Sequence, residues 1–361
     1  MKLCSFLFLI LVVGSCSPSA TNKKLQNTKV TVTFNVGFAT GGINYNEQED
    51  CVAFSDFVTH KKISVHKMDG QHLFTIPLQQ LMEAENERII SFDYVNKDTI
   101  VLLSKYTNKI FIVNYLGELI FKKDYSKFAL KNIELYPPTK LLGKKIFLGA
   151  EYQDIDLANS NVSPIEDYDR RNQSPQIFID NNLFSSNYDV SLKLPFFYSR
   201  FSKLAGAMNL EGNKFDFSPI QFSIHSIYSD SVYFIDENFN NLKPYRIKSD
   251  FFELNLKPIS ILKEMKESGA ININTAKSNF VFSFNYDKYR EVYYCMVRGA
   301  KEGEIYPFSI ITYDHNMKKL DEQYFEPSKF KLSTFIAKDG LFVENRIENF
   351  KKRTFTCYRY E

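Results

Sequence analysis

Few residues in this chain stand in a pattern that specifies chemistry. The sequence has no G-x-S-x-G elbow, no H-E-x-x-H, no C-x-x-C, and no phosphate-loop or dinucleotide fingerprint. It has five histidines. His66 and His72 are close enough in sequence to suggest a metal pair. A two-residue turn at Asp69-Gly70 would set His66 opposite Leu73 and His72 opposite Lys67, on opposite faces of a hairpin, where they could not share an ion. His60, His225 and His315 are isolated and read as satisfied strand or turn histidines. Glu151, Asp154 and Asp156, with Asn159 and Asn161 following, have the oxygen-rich look of a calcium loop. That pattern fails at Ala158, Asn159 and Ile165, where a ligand, a glycine and a bidentate glutamate belong. No catalytic residue, metal ligand or cofactor is expected on these grounds. Binding has a better candidate in the long segment 151–207, rich in Asn, Asp, Tyr and Phe. Tyr188, Phe197, Tyr198 and Arg200 are its candidate ligand-binding residues, since aromatic faces beside amides and a guanidinium can grip a glycan or a peptide. The competing reading makes Leu194–Phe201 an ordinary core strand.

One further residue carries a covalent expectation. Met1-Lys2 precedes an apolar run, Leu3–Val13, then Gly14-Ser15-Cys16 and the polar Ser17-Pro18-Ser19. That layout is a secretory signal, and the run is too short to cross a bilayer as a permanent helix. Val13–Cys16 resembles the bacterial lipobox, in which cleavage precedes the cysteine and its sulfur carries a diacylglycerol. Residues 1–15 are expected to be a lipoprotein signal peptide and Cys16 the lipidated residue. Residues 16–29, polar and rich in Ser, Thr, Asn and Lys, are expected to be a flexible tether, and 30–361 the folded domain. The remaining cysteines, Cys51, Cys295 and Cys357, lie in apolar or aromatic runs and read as small buried hydrophobes, with a Cys295–Cys357 disulfide as the alternative. Asp98-Thr99-Ile100 and Asp230-Ser231-Val232 have the form of short O-glycosylation acceptors, and equally of a turn entering a strand.

The elements that must position these residues are strands. Helical periodicity is confined to Leu78–Arg88 and Pro258–Ser268. Elsewhere short apolar-aromatic runs alternate with Asn, Asp, Gly and Lys clusters. Four hairpins recur: Ile63–Ile76, Lys109–Phe121, Val232 onward through a turn in 237–241, and Phe308 onward through a turn in 314–318. In the first, Val65 should face Phe74 and Ile63 face Ile76 on a buried side, with Ser64 and Thr75 on a more polar one. A further strand precedes each hairpin, so the chain reads as six units of about four strands: 43–80, 90–127, 133–195, 217–250, 277–326 and 330–361. Repeated meanders of this size predict an all-β, six-bladed β-propeller, seven blades being possible if the insertion in the third unit hides strands. The last unit lacks an outer strand. Val30–Val36 is a spare alternating strand that could close the ring there and remove an open edge.

The lipobox, these hairpins and the stretch Leu194–Tyr198 leading into Phe222–Ile235 resemble an uncharacterised Bacteroidetes lipoprotein family with a six-bladed propeller, broadly similar to TolB-like and NHL-like propellers. The resemblance implies a fold and an address, a lipid anchor in the outer membrane, and no catalytic residues. Ser17–Asn22 holds no acid and Lys23-Lys24 follow, which favours the periplasmic face over the cell surface. The formal charge is +3, and +2 once Lys2 is removed, with lysine doublets scattered among acids; this argues against a nucleic-acid partner. The expected role is a lipid-anchored envelope binding or scaffold protein, its partners the membrane and an envelope protein or glycan. The alternative is a hydrolase or lyase with a metal-assisted carboxylate site on the propeller axis.

Overall fold

A computed structural model describes residues 23–36, 42–104, 107–126, 133–152, 177–193, 213–217, 222–226, 230–235, 243–254, 278–303, 305–347 and 351–361. β1 (Leu25–Phe34) comes first. Blade 1 follows with β2 (Ile43–Asn46), β3 (Cys51–Asp56), β4 (Lys62–Lys67) and β5 (His72–Pro77). A short helix, α1 (Gln79–Ala84), leads to blade 2: β6 (Ile89–Asn96), β7 (Thr99–Ser104), β8 (Lys109–Val113) and β9 (Leu119–Asp124). Blade 3 holds β10 (Ile133–Leu142), β11 (Lys145–Tyr152), β12 (Ile177–Asp180) and β13 (Val190–Lys193). Blade 4 holds β14 (Asn213–Phe217), β15 (Phe222–Ser226), β16 (Ser231–Ile235) and β17 (Lys243–Arg246). Blade 5 holds β18 (Phe280–Asp287), β19 (Val292–Arg298), β20 (Phe308–Tyr313) and β21 (Lys319–Phe325). Blade 6 holds β22 (Phe330–Ala337), β23 (Gly340–Asn345) and β24 (Arg353–Tyr360), and β1 adds to it as the fourth strand, antiparallel to β24. The chain is a six-bladed β-propeller whose ring is closed by its N-terminal strand, as the sequence predicted. That strand begins at Leu25 instead of Val30, because Leu25, Gln26 and Asn27 already pair with Tyr360, Arg359 and Tyr358.

The middle strands explain why the chain is so rich in β-branched and aromatic residues. In β3, β19 and β20 every residue is buried. A propeller blade is covered on both faces by its neighbours, so the period-2 alternation of a strand sends successive side chains into two different interfaces. Cys51 and Ala53 join Ile63, Val65 and Ile76 in packing against Ile100, Leu102, Phe111 and Val113 of blade 2. Val52 and Phe54, in the same strand, point the other way and pack with Phe34, Phe342 and Phe355 of blade 6. Equivalent apolar clusters lie at the four other junctions between adjacent blades. Fully burying one such side chain is worth about 1.5–3 kcal/mol, so the ring is held by its six seams.

Two expectations are corrected at the first hairpin. Its polar side is only half open to water: Thr75 is exposed, while Ser64 and His66 are buried. Its register matches at Ile63–Ile76, Ser64–Thr75 and Val65–Phe74, yet His66 stands opposite His72. The turn is the cause. Gly70 N–H donates to the Lys67 carbonyl, Lys67 N–H to the Gln71 carbonyl, and Gly70 takes φ +94°. That is a three-residue loop with a glycine bulge, one residue longer than a two-residue turn. A second bulge at Leu73 restores the register beyond it. The His66 and His72 rings are therefore 5.1 Å apart on one face, and the argument that they cannot meet does not hold.

The same turn recurs. Gly117 donates to the Asn114 carbonyl and Met317 to the Asp314 carbonyl, with φ +80° and +62°. These turns touch the neighbouring blade: a Cβ on Gly117 would lie 2.0 Å from the Pro77 carbonyl oxygen, and one on Gly70 2.4 Å from that of Thr33. Both need glycine for the backbone and for the approach. Of the two predicted helices, the first is α1, shorter than expected, and 258–268 lies outside the described residues. No helix among the described residues is long and apolar enough to cross a membrane.

Candidate functional site

The first strand of each blade lines the axis, and neighbouring first strands approach one another around it. Where these strands turn into the second, a cavity of about 310 Å³ opens. Five blades contribute to its lining, through β2, β6, β10, β18, β22 and the turns that follow. The turn of blade 4, 218–221, lies outside the described residues.

The cavity is built on a buried carboxylate. Asp93, on β6, accepts hydrogen bonds from Asn44 Nδ2 of β2 (3.0 Å), Lys140 Nζ of β10 (3.1 Å) and the Leu141 backbone N–H (2.8 Å). A buried charge with three donors from two other blades is satisfied and fixes three inner strands together. Asn46 braces the same corner, donating to the carbonyls of Tyr94 and Val95 and accepting from Glu49 N–H. Tyr94 OH donates to Glu49 (2.5 Å) and Tyr45 OH to Asp50 (2.7 Å). At the rim, Lys288 pairs with Glu47 and lies 5.3 Å from the Tyr289 ring.

The protonation states follow from these contacts. Burial pushes the phenols of Tyr45, Tyr94, Tyr286 and Tyr289 above their ordinary value, with neighbouring carboxylates adding to it. All four are neutral at physiological pH: hydrogen-bonding groups and flat faces, not bases. Lys288 holds Glu47 below the usual carboxylate range. The Cys51 thiol beneath is pushed up to about 12 by burial and is no nucleophile. The cavity thus offers four phenols, two lysines and two carboxylates, each carboxylate already engaged by a lysine. Among the described residues no group of three or more His, Cys, Asp or Glu could hold a metal ion. His66 and His72 meet at the seam of blades 1 and 6, away from this cavity, and among the described residues no third ligand joins them. What the arrangement can do is bind: aromatic walls with a few convergent polar groups suit a small polyhydroxylated ligand.

Of the four ligand-binding candidates from sequence, Tyr188 alone is among the described residues, and it lies elsewhere. Tyr188 sits in the turn between β12 and β13, where its OH donates to the Asp124 carbonyl (2.8 Å) and its ring lies 5.2 Å from Lys123 Nζ and 5.7 Å from Tyr125. It helps cover a buried cluster in which Lys123 Nζ and Tyr125 OH both reach Asp180, at 2.5 and 2.6 Å. Phe197, Tyr198 and Arg200 lie outside the described residues, as do Cys16 and the acidic stretch 154–169. Cys51, Cys295 and Cys357 are buried free thiols, so the disulfide alternative is not formed. His60 bonds Asp56 (2.5 Å) and His315 bonds Asn316 (2.9 Å). Nothing in the sequence reading pointed to Tyr45, Asp93, Lys140, Lys288 or Tyr289. A signal does exist: Asn44-Tyr45, Asp93-Tyr94 and Asn285-Tyr286 each place an amide or acid before a tyrosine near the end of a first strand.

No protein-family model matches the sequence, and no curated protein matches it. Solved structures do. A member of the DUF4221 family from Bacteroides vulgatus superposes with a TM-score of 0.73 at 17% identity, covering 94% of this chain and 98% of that one. A presumed exported protein from Bacteroides fragilis gives 0.56 at 10% identity, covering 93% and 95%. A streptogramin B lyase gives 0.44 at 11% identity over 91% and 98%, too loose to bear on chemistry. The two Bacteroides likenesses show the fold.

Proposed function

We propose that this chain is a lipid-anchored protein of the cell envelope that binds a ligand in its axial cavity, with a glycan as the ligand class the lining suits best. The carrying observation is the cavity itself: neutral phenols on its walls, ion-paired carboxylates, and no general acid, base or nucleophile poised among the described residues. Cys16 supplies the anchor, and Ser17–Lys24, without acids, favours the periplasmic leaflet of the outer membrane. An envelope protein carrying such a glycan is the natural macromolecular partner. The alternative of a metal-assisted hydrolase or lyase on the axis gains no support from this site, because Glu47 and Asp93 are each occupied by a lysine. The test is a glycan array probed with the full chain, followed by titration calorimetry of the best hit with Tyr289→Ala and Lys288→Ala. Removing one stacking ring or one charged donor from a small site should weaken binding about 10-fold or more. An array without hits, or hits that both variants bind as tightly, would defeat the reading.

A further inference from the structure

The position of the chain's entry into the fold bears on how it meets a membrane. β24 runs toward the face of the ring that carries the cavity mouth, because β23 begins at the turn 338–339 on that face and pairs antiparallel with β24. β1 starts where β24 ends: Leu25 pairs with Tyr360, and Lys24 and Glu361 exchange backbone hydrogen bonds. The segment before Leu25 therefore leaves the domain on the cavity face. From Cys16 to Lys24 is eight residues, a reach of at most about 28 Å when fully extended.

That same face carries exposed apolar tips. The turn and strand start 115–120 of blade 2 present Tyr115, Leu116, Leu119 and Ile120, which are 39%, 51%, 42% and 59% exposed. Phe184, in the corresponding turn of blade 3, is 45% exposed and its ring lies 6.0 Å from Phe121. Leu142, at the cavity lip, is 39% exposed. Both tips are braced: Tyr115 N–H donates to the Lys97 carbonyl (2.7 Å) and Leu183 N–H to the Lys144 carbonyl (2.8 Å). The opposite face shows, among the described residues, only Val58 by itself and Phe251 beside Tyr324, with ring centroids 5.5 Å apart. Rigid turns tipped with Leu, Ile, Phe and Tyr, flanked by lysines, have the composition of side chains that enter the headgroup boundary.

We infer that the cavity face rests on the bilayer, with the turn tips of blades 2 and 3 entering its interface. The inference builds on acylation of Cys16, which brings that face within reach of the lipid. The tips then add apolar area to the acyl chains, and the cavity mouth opens toward the headgroups. The occupant of this patch is lipid, since the chain leading to the anchor departs from the same face.

The chain contains no tryptophan, so an introduced one is a unique reporter. Full-length Leu116→Trp, Phe184→Trp and Val58→Trp variants are purified, their acylation read from intact mass, and each is bound to phosphatidylethanolamine–phosphatidylglycerol vesicles carrying nitroxide-labelled lipid. Tryptophans at 116 and 184 should shift to the blue and be quenched at least about twofold more than one at 58. Acylated protein in which positions 116 and 184 are quenched no more than 58 would overturn the orientation, leave the anchor standing, and free the patch for a protein partner. Protein without the acyl mass would remove the anchor and this orientation with it.

Discussion

His66 should make this fold acid-sensitive at one particular seam. It is fully buried, and neither ring nitrogen makes a well-formed hydrogen bond; the Gly70 backbone is its polar neighbour. Around it stand Phe34 of the closing strand (5.7 Å), Phe54 (5.9 Å) and His72 (5.1 Å). Burial, with a smaller contribution from His72, lowers its pKa from 6.5 to about 4. The folded protein thus holds the ring neutral while the unfolded chain takes up a proton near pH 6.5. Stability from this group is complete above pH 6.5 and is lost as pH falls toward 4. The gap corresponds to about 3 kcal/mol in full, and to about 2 kcal/mol at pH 5, at 1.36 kcal/mol per pH unit. Denaturant unfolding of wild type and His66→Leu at pH 7 and pH 5 isolates the effect, because carboxylates titrate alike in both. The wild type should lose about 2 kcal/mol more than the variant over that interval. The variant should also match or exceed wild type at pH 7, since it removes two poorly paired buried nitrogens. Equal losses in the two proteins would refute the reasoning.

Other outcomes can be read from the same contacts. Gly117→Ala forces a left-handed backbone on a residue with a Cβ and drives that atom into Pro77, so thermal unfolding should show a loss of about 1–3 kcal/mol. Gly143→Ala, at φ +62° with nothing within 4 Å of the added carbon, should lose only about 1 kcal/mol; if the two lose alike, the turn does not bear on the neighbouring blade. Asp180→Asn leaves Lys123 charged and buried, and should cost about 3–5 kcal/mol, with much of that recovered in a Lys123→Met, Asp180→Leu double variant; calorimetric melts of the single and double variants decide it. Losses that simply add would mean the pair does not act as a unit.

Local pattern carried the architecture well. Alternation and turn residues located the second, third and fourth strands of most blades, because those are the strands whose apolar residues are dense and whose turns are marked by Asp-Gly, Leu-Gly or Asp-His-Asn. First strands were harder to see. β2 is four residues, Ile-Asn-Tyr-Asn, half of them amides, and β14 lies before the point where unit four was drawn. The polarity of β2 has a physical origin: its residues answer to the cavity as well as to a core. The bulge at Leu73 also left no local mark, since a glycine in a turn is compatible with either loop length. The cavity residues were invisible for a different reason. They come from five blades, from Tyr45 to Ile336, and only the closing of the circle brings them together. A long, aromatic insertion drew attention to itself, whereas a tyrosine after an asparagine did not.

The closing strand has a mechanical consequence. β1 is tied along its length to β24, from Leu25–Tyr360 to Phe34–Arg353, and its leading end points out of the domain. Tension applied to the amino-terminal segment runs parallel to β1, so it loads the ladder in shear, with many backbone hydrogen bonds sharing the strain at once, instead of peeling them off singly. The clasp of the ring is the first element to bear such a load: a pull strong enough to slide β1 free would open the circle, while β1 stays joined to blade 1 through the polypeptide.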